Sequence, residues 1–337
     1  MIDLHETART LCAPKKGILA ADESIETAGK RLKEYGIKST EASRDEYREL
    51  FLGAKGVEEY LSGIIFFDET FHQKIGKELM PTYAAKHGIA PGIKVDQGTS
   101  PLEGSEDEFI TSGVVGLPER LAVYAKEGAR FTKWRAAIRI DGDRLPSNQA
   151  LMENARRLAT YAHAAQQAGL VPILEPEVLL EGKHSRLRAP TVLEETLQAV
   201  FAVLEECALN ECIVDHGGLL LKTSMALSGS ENGKKDTPEE VAEDTLAALM
   251  AAVPRQVGGI VFLSGGQTPD QATANLAAIA RRAKEIHAPW PLTFSYARAL
   301  QEEALAVWKG KEENLEEART VFMDRLKKVA DATEGIG

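Results

Sequence analysis

Leu219-Leu220-Leu221-Lys222 is an apolar run that stops on a charge, and the fold is read from it and its counterparts. Such a run, entered from Gly217-Gly218, has the character of a strand buried on both faces. A lysine at its end is largely stripped of water, which favours the neutral, nucleophilic amine over the ammonium. For an isolated case, the plainer reading is a lysine that has just left the strand and reaches solvent. Seven further runs of the same kind remove that isolation.

On the N-terminal side lie Gly17-Ile-Leu-Ala-Ala-Asp22, Gly63-Ile-Ile-Phe-Phe-Asp68, Gly92-Ile-Lys-Val-Asp96, Phe131 to Ile140 and Val171-Pro-Ile-Leu-Glu-Pro-Glu177. On the C-terminal side lie Gly259-Ile-Val-Phe-Leu-Ser-Gly265 and Leu292-Thr-Phe-Ser-Tyr-Ala-Arg298. Helical patterns stand between them. Thr237-Pro238-Glu239-Glu240 has the form of a capping box with proline at the first helical position, and Thr268-Pro269-Asp270-Gln271 repeats it. Ser147 opens a long amphipathic run that Gly169 closes. Eight strands alternating with helices over about 280 residues predict an α/β fold of the (β/α)8 TIM-barrel type. A doubly wound open sheet is the alternative, but no Gly-x-Gly-x-x-Gly or lysine-bearing phosphate loop follows the first strand. No composition break marks a second domain. Residues 1–337 therefore read as one barrel domain, with its core at about 15–300 and C-terminal helices and tail at 301–337. The first 14 residues read as an N-terminal addition, Glu302 to Ala330 as helices, and Asp331 to Gly337 as a loose tail.

Composition narrows the function classes. The chain is 44% hydrophobic and 27% charged, as in an ordinary globular protein, and its net charge of −11 argues against nucleic-acid or anionic-membrane partners. No apolar stretch approaches membrane-spanning length, and Met1-Ile2-Asp3-Leu4-His5-Glu6 lacks the features of a signal peptide, so a cytoplasmic location is expected. Cys12, Cys207 and Cys212 form neither a disulfide framework nor a metal-type pair. The seven histidines are scattered without ligand spacing, so neither a metal nor another cofactor is expected.

The charges carry the chemistry. Three successive strands bear polar groups two residues apart, hence on one face: Lys94 and Asp96, Lys133 and Arg135, Glu175 and Glu177. Asp22 ends the first strand, Lys222 the sixth and Arg298 the eighth. Barrel strands are covered on both faces, so such groups are costly except at the open C-terminal mouth. A closed ion-pair network plugging the barrel is the non-functional alternative, but clusters of this kind more often mark functional sites. Five of these nine residues are cations in an acidic protein, so the mouth should attract an anion. Ser264-Gly265-Gly266 follows the seventh strand and leads into a capped helix, where backbone amides could approach an oxyanion. Arg298 could clamp the same anion in the place where this fold usually binds phosphate. A lysine nucleophile, neighbouring cations, acid/base carboxylates and a phosphate site together point to Schiff-base chemistry on a phosphorylated carbonyl compound.

From about Thr10 to Gln301 the chain resembles class I (Schiff-base) fructose-bisphosphate aldolase. The resemblance rests on Leu19-Ala-Ala-Asp-Glu-Ser24, Gly29-Lys-Arg-Leu32, Gly92-Ile-Lys-Val-Asp96, Lys133-Trp-Arg135, Val171 to Glu177, Leu220-Leu-Lys222, Phe262-Leu-Ser-Gly-Gly-Gln267 and Leu292-Thr-Phe-Ser-Tyr296. It implies that Lys222 is the Schiff-base lysine and that Glu175, with Glu177 beside it, is the acid/base of carbinolamine dehydration. It implies that Asp22 handles the C4 hydroxyl and that Lys133 is the cation next to the nucleophile. By the same resemblance Ser264, Gly265, Gly266 and Arg298 hold the C1 phosphate, while Lys94, Arg135 and the loop residues Ser24, Thr27, Lys30 and Arg31 line the other end of a phosphorylated sugar. A homotetramer is the expected assembly.

Departures from the family pattern carry expectations of their own. Ile25-Glu26-Thr27 stands where Thr-Gly-Ser is common, Thr223-Ser224 replaces Pro-Asn, and Ala297 replaces a glycine beside Arg298. Glu26 would repel a phosphate if it faced the site. The final Glu334-Gly-Ile-Gly337 lacks the terminal tyrosine that animal members use in proton exchange, so the enamine proton is expected from Glu175 or an ordered water. Sedoheptulose 1,7-bisphosphate is the rival substrate, and a non-catalytic scaffold the rival from another class. Joint retention of Lys222, Lys133, Glu175 and Asp22 argues against the scaffold.

Overall fold

A computed structural model describes residues 3–209 and 212–336, so Met1 and Ile2 of the leader reading and Gly337 of the tail reading lie outside the described residues. Each of the eight apolar runs forms a strand of one closed parallel barrel: β1 (Gly17–Ala21), β2 (Leu61–Phe66), β3 (Ala90–Lys94), β4 (Phe131–Ile138), β5 (Val171–Val178), β6 (Leu220–Thr223), β7 (Gly259–Phe262) and β8 (Leu292–Tyr296). Neighbours in space are neighbours in this order, and β8 returns to pair with β1. Most strands end one to three residues earlier than their apolar runs. Asp22, Asp96 and Arg298 thus stand just beyond the hydrogen-bonded ladder, and Asp68 begins a short helix instead of ending a strand.

The helices are α1 (Leu4–Leu11), α2 (Ile25–Glu34), α3 (Glu41–Leu52), α4 (Asp68–Phe71), α5 (Met80–Lys86), α6 (Leu117–Lys126), α7 (Asn148–Gln167), α8 (Arg188–Ala208), α9 (Pro238–Ala252), α10 (Pro269–Glu285), α11 (Arg298–Trp308) and α12 (Leu315–Ala332). Their boundaries follow the caps. Thr237 and Glu240 satisfy each other's backbone amides at the start of α9, whereas Thr268 of α10 makes only the forward bond, from the Gln271 amide. Ser147 caps α7, and Gly169 at φ +74° closes it, with its N–H donating to the Gln166 carbonyl at 2.9 Å.

Two apolar layers position the mouth. One lies between the sheet and the surrounding helices, with Trp134, Phe66, Leu174, Leu221, Phe262 and Tyr296 buried on the outer face of the strands. The other fills the lower barrel with Ile18, Ala20, Ile65, Phe131, Val171, Ile173, Leu220 and Val261. Ala8, Leu11 and Cys12 join that inner cluster, so the first residues seal the base of the barrel. They are part of its packing, and burial pushes the Cys12 thiol up to about 12. The tail also departs from its reading. Asp331 and Ala332 are helical, Thr333 is buried, and Lys284 Nζ donates to the Glu334 carbonyl and carboxylate, each at 3.1 Å.

Glycines in β2 and β3 make the space that Phe131 occupies. A Cβ at Gly92 would stand 2.3 Å from the Phe131 ring, and one at Gly63 would stand 2.7 Å from Leu11 Cδ2. Gly92→Ala should therefore lower the unfolding free energy by about 1–3 kcal/mol, since an overpacked core moves atoms that have nowhere to go. Urea titration measures this, and Phe131→Leu in the same chain should recover part of the loss. An unchanged midpoint for Gly92→Ala would show that the ring is not held by its surroundings.

Candidate active site

Above the apolar plug the barrel opens into a cavity of about 1030 Å3 lined by residues from β1, β3–β6 and β8 and the loops that follow the strands. Strand pleat aims alternate residues into it, and register sets their mutual height. Lys94 stands opposite Lys133, and Arg135 opposite Glu175. Lys222, Lys133 and Glu175 are 4%, 3% and 3% exposed, so their charges are out of water and must answer one another.

They do so in a chain. Lys222 Nζ lies 2.9 Å from Glu175 Oε1, Lys133 Nζ lies 2.9 Å from Glu175 Oε2, and Lys133 Nζ lies 2.6 Å from Asp22 Oδ2. The resemblance implied that Lys133 is the cation next to Lys222; here the Glu175 carboxylate lies between the two side chains, 2.9 Å from each Nζ. Its Oε2 nevertheless accepts no hydrogen bond, because the Lys133 contact is off-axis. Burial works against ionisation of Asp22, but Lys133 and then Lys222 outweigh it and hold the carboxyl at about 2. The same contest lowers Glu175, with burial opposed by Lys133 and Lys222. Burial opposes the charge on Lys133, yet Asp22 and Glu175 raise it well above the usual lysine range.

A second tier surrounds this chain. Arg135 Nε donates to Glu177, whose charge raises the guanidinium above its ordinary value. Lys94 bonds Asp96, and the Arg135 amide donates to Asp96 Oδ2 at 3.2 Å. At the start of α2 the N-cap Ser24 and the helix residues Thr27 and Arg31 line the cavity, but Ser24 and Thr27 are tied together, the Thr27 amide donating to Ser24 Oγ at 3.2 Å. Arg31 turns to Glu23, Tyr47 and Gln301, a buried knot in which Tyr47 OH donates to Glu23 Oε1 at 2.8 Å. Lys30 is exposed and does not line the cavity.

After β7 and β8 the mouth carries a row of backbone amides. Gly265 and Gly266 have φ of +28° and +81°, and a Cβ on Gly265 would meet Leu263 Cδ1 at 2.6 Å, so glycine is required there. Among the described residues no protein acceptor meets the amides of Ser264, Gly265, Gly266, Ala297 or Arg298. The helix start beside them belongs to α11, at Arg298, whereas the sequence pointed to the capped start of α10. Ala297 has a negative φ of −105°, so the left-handed conformation that would call for glycine is not used there. Arg298 makes no ion pair among the described residues. Ser295, missed in the sequence, is buried in the cavity wall with an unpartnered hydroxyl. It lies two residues before Ala297 on an inward-facing register that alternation along β8 would have found.

A family model for "Fructose-bisphosphate aldolase class-I" matches residues 3–336. Fructose-bisphosphate aldolase B of Bos taurus is 46% identical over 334 residues, covering 98% of this chain and 90% of the relative. The cytosolic fructose-bisphosphate aldolase 4 of Arabidopsis thaliana is 44% identical over 335 residues, 99% of this chain and 83% of the relative. The fructose-bisphosphate aldolase of Plasmodium falciparum, solved with TRAP and a small-molecule inhibitor, superposes with a TM-score of 0.93 at 41% identity, covering 98% of this chain and 94% of that one.

The low Asp22 value has a pH signature. Its folded carboxyl titrates below the ordinary 3.8, so the stability it contributes is fully present above about pH 4 and lost as pH falls through about 2. Asp22→Asn should cost about 2 kcal/mol at neutral pH, since it removes one partner of a buried cation. That difference from the parent chain should narrow as pH falls from about 4 towards 2. Urea unfolding across this range checks both, and a gap that stays constant would place the cost elsewhere.

Proposed function

The chain belongs to the class-I fructose-bisphosphate aldolase family, and from that premise we propose which residues carry its reaction. The reaction is the reversible cleavage of fructose 1,6-bisphosphate to dihydroxyacetone phosphate and glyceraldehyde 3-phosphate through a lysine Schiff base, without a metal ion. It is a lyase reaction of glycolysis. The observation that supports the assignment is the unbroken contact chain Asp22–Lys133–Glu175–Lys222, set beside a cradle of free amides.

Lys222 is the nucleophile. Transfer of an ammonium proton to Glu175, 2.9 Å away, leaves the amine that attacks the C2 ketone. Protonated Glu175 then gives that proton to the carbinolamine hydroxyl, which departs as water and leaves an iminium. Asp22 accepts the C4 hydroxyl proton as the C3–C4 bond breaks, and the electron pair flows into the iminium to form an enamine. A carboxyl held near 2 is a weak base while Lys133 grips it. Substrate oxygens that draw the Lys133 ammonium away would restore its basicity. Protonation at C3 by Glu175 or a water, followed by hydrolysis, releases dihydroxyacetone phosphate. Ser264, Gly265, Gly266 and Arg298 hold the C1 phosphate through amides and guanidinium, with Ser295 beside them. Glu177 orients Arg135, and Lys94 and Arg135 face the far end of the sugar with Ser24 and Thr27. Arg31 supports that wall through Glu23, and Lys30 reaches the mouth only by moving.

The same proposal takes the chain as one barrel domain that assembles as a homotetramer in the cytosol. The plant relative is named cytosolic, and among the described residues no helix is long and apolar enough to cross a membrane. Light scattering and fractionation test these two parts.

Borohydride reduction in the presence of dihydroxyacetone phosphate should leave one adduct, on Lys222, with activity indifferent to EDTA. An adduct mapped elsewhere, or activity abolished by chelator and restored by zinc, overturns the assignment. Arg298→Ala should raise KM for fructose 1,6-bisphosphate about tenfold or more, the cost of removing a charge-assisted clamp. An unaltered KM would remove Arg298 from the phosphate site.

A further inference from the structure

We propose that Glu26 is a specificity-determining residue, an uncompensated carboxylate on the mouth that sets this enzyme against a second terminal phosphate on its substrate. The inference rests on the preceding reading of the cavity as a ketose-phosphate site, and goes beyond it in assigning the selectivity between ketose 1-phosphates and bisphosphates.

The cavity is charge-balanced almost residue by residue. Asp22 and Glu175 face Lys133 and Lys222, Glu177 faces Arg135, and Asp96 faces Lys94. Glu23 faces Arg31 and Arg48; Asp68 meets no lysine or arginine among the described residues, but it accepts from Tyr124 OH at 2.6 Å and lies 3.8 Å from His72. Glu26 lines the same cavity, yet among the described residues it meets no cation and accepts no hydrogen bond. On the cationic side Arg120 donates to the carbonyls of Val115, Val95 and Gly113, and among the described residues neither Arg120 nor Arg298 pairs with a carboxylate. A phosphate seated against Arg298 and the free amides therefore meets a receptive site. A second phosphate directed at Lys94 and Arg135 meets cations already engaged by carboxylates, and the unpaired Glu26 besides.

Position strengthens the argument. Glu26 is the second residue of the ten-residue helix α2, whose start follows directly on β1 and Asp22. That helix start would otherwise favour an anion, and Glu26 fills the potential with a charge of its own. Stabilisation of the helix dipole is the competing explanation for an acid at this place. It accounts for the residue type but predicts no substrate dependence. A carboxylate and a phosphate dianion about 8 Å apart in water-like dielectric repel enough to shift binding about fivefold.

Steady-state kinetics on fructose 1,6-bisphosphate and fructose 1-phosphate test the proposal in the full-length enzyme. Glu26→Gln should raise kcat/KM for the bisphosphate about three- to tenfold, through KM, and alter it less than twofold for the monophosphate. Glu26→Asp should keep the parent ratio, and added potassium chloride should shrink the gain of the Gln variant. Equal changes on both substrates, or none on either, overturn the proposal. So does a drop in Tm for Glu26→Gln, restored by Glu26→Asp, with the substrate ratio unmoved, since that returns the residue to helix stabilisation. A parent enzyme that cleaves both esters at a ratio indifferent to Glu26 defeats this inference alone. One that cleaves neither and forms no adduct on Lys222 defeats the preceding reading, and this one with it.

Discussion

A lysine inside a parallel barrel has to be kept company, and the contact between Lys222 and Glu175 does that for the whole site. Both are almost wholly removed from water, where an unpaired charge costs several kcal/mol. One carboxylate cannot balance two ammonium groups, so Lys133 brings in Asp22 from the far side. The chain crosses β6, β5, β4 and the end of β1, elements that meet only when the barrel is closed. Removal of any member leaves a buried charge without its partner. That requirement explains why polar residues gather at one end of the strands and why the other end is so thoroughly apolar.

The base of the barrel serves the mouth in a second way. Phe131 fills space that glycines in β2 and β3 leave vacant, and α1 closes the opening beneath it. The inward-facing charges therefore stand above an apolar base, on strands whose registers are pinned by packing. Groups held in this way are preorganised, the condition under which electrostatic stabilisation is effective. The two sides of the mouth differ in readiness. Among the described residues Arg298 forms no ion pair and the amides from Ser264 to Gly266 meet no acceptor, while Lys94, Arg135 and Arg31 are each held by a carboxylate.

Legibility in the sequence followed the range of the interactions. Apolar runs bounded by charges are a local pattern, and all eight became strands. The pairs Lys94 and Asp96, Lys133 and Arg135, and Glu175 and Glu177 were placed on one face by the two-residue period alone. Thr237 and Ser147 marked helix starts because a cap is made within three residues. What escaped depended on distant partners. Nothing near Arg31 announces that it turns to Tyr47 and Gln301, and nothing in Leu4 to Cys12 shows that it plugs a barrel.

The sequence by itself therefore determined the alternation of strands and helices, the identity of the charged residues, and the faces they share, since each follows from dihedral periodicity over a few residues. Closure of the sheet decided the rest. It set Glu175 between two lysines, it made the start of α11 and not of α10 part of the cavity wall, and it left Ser295 and Glu26 at the cavity without partners among the described residues. Those outcomes are fixed by distances between residues far apart in the chain, and only the packed barrel brings such residues within reach of one another.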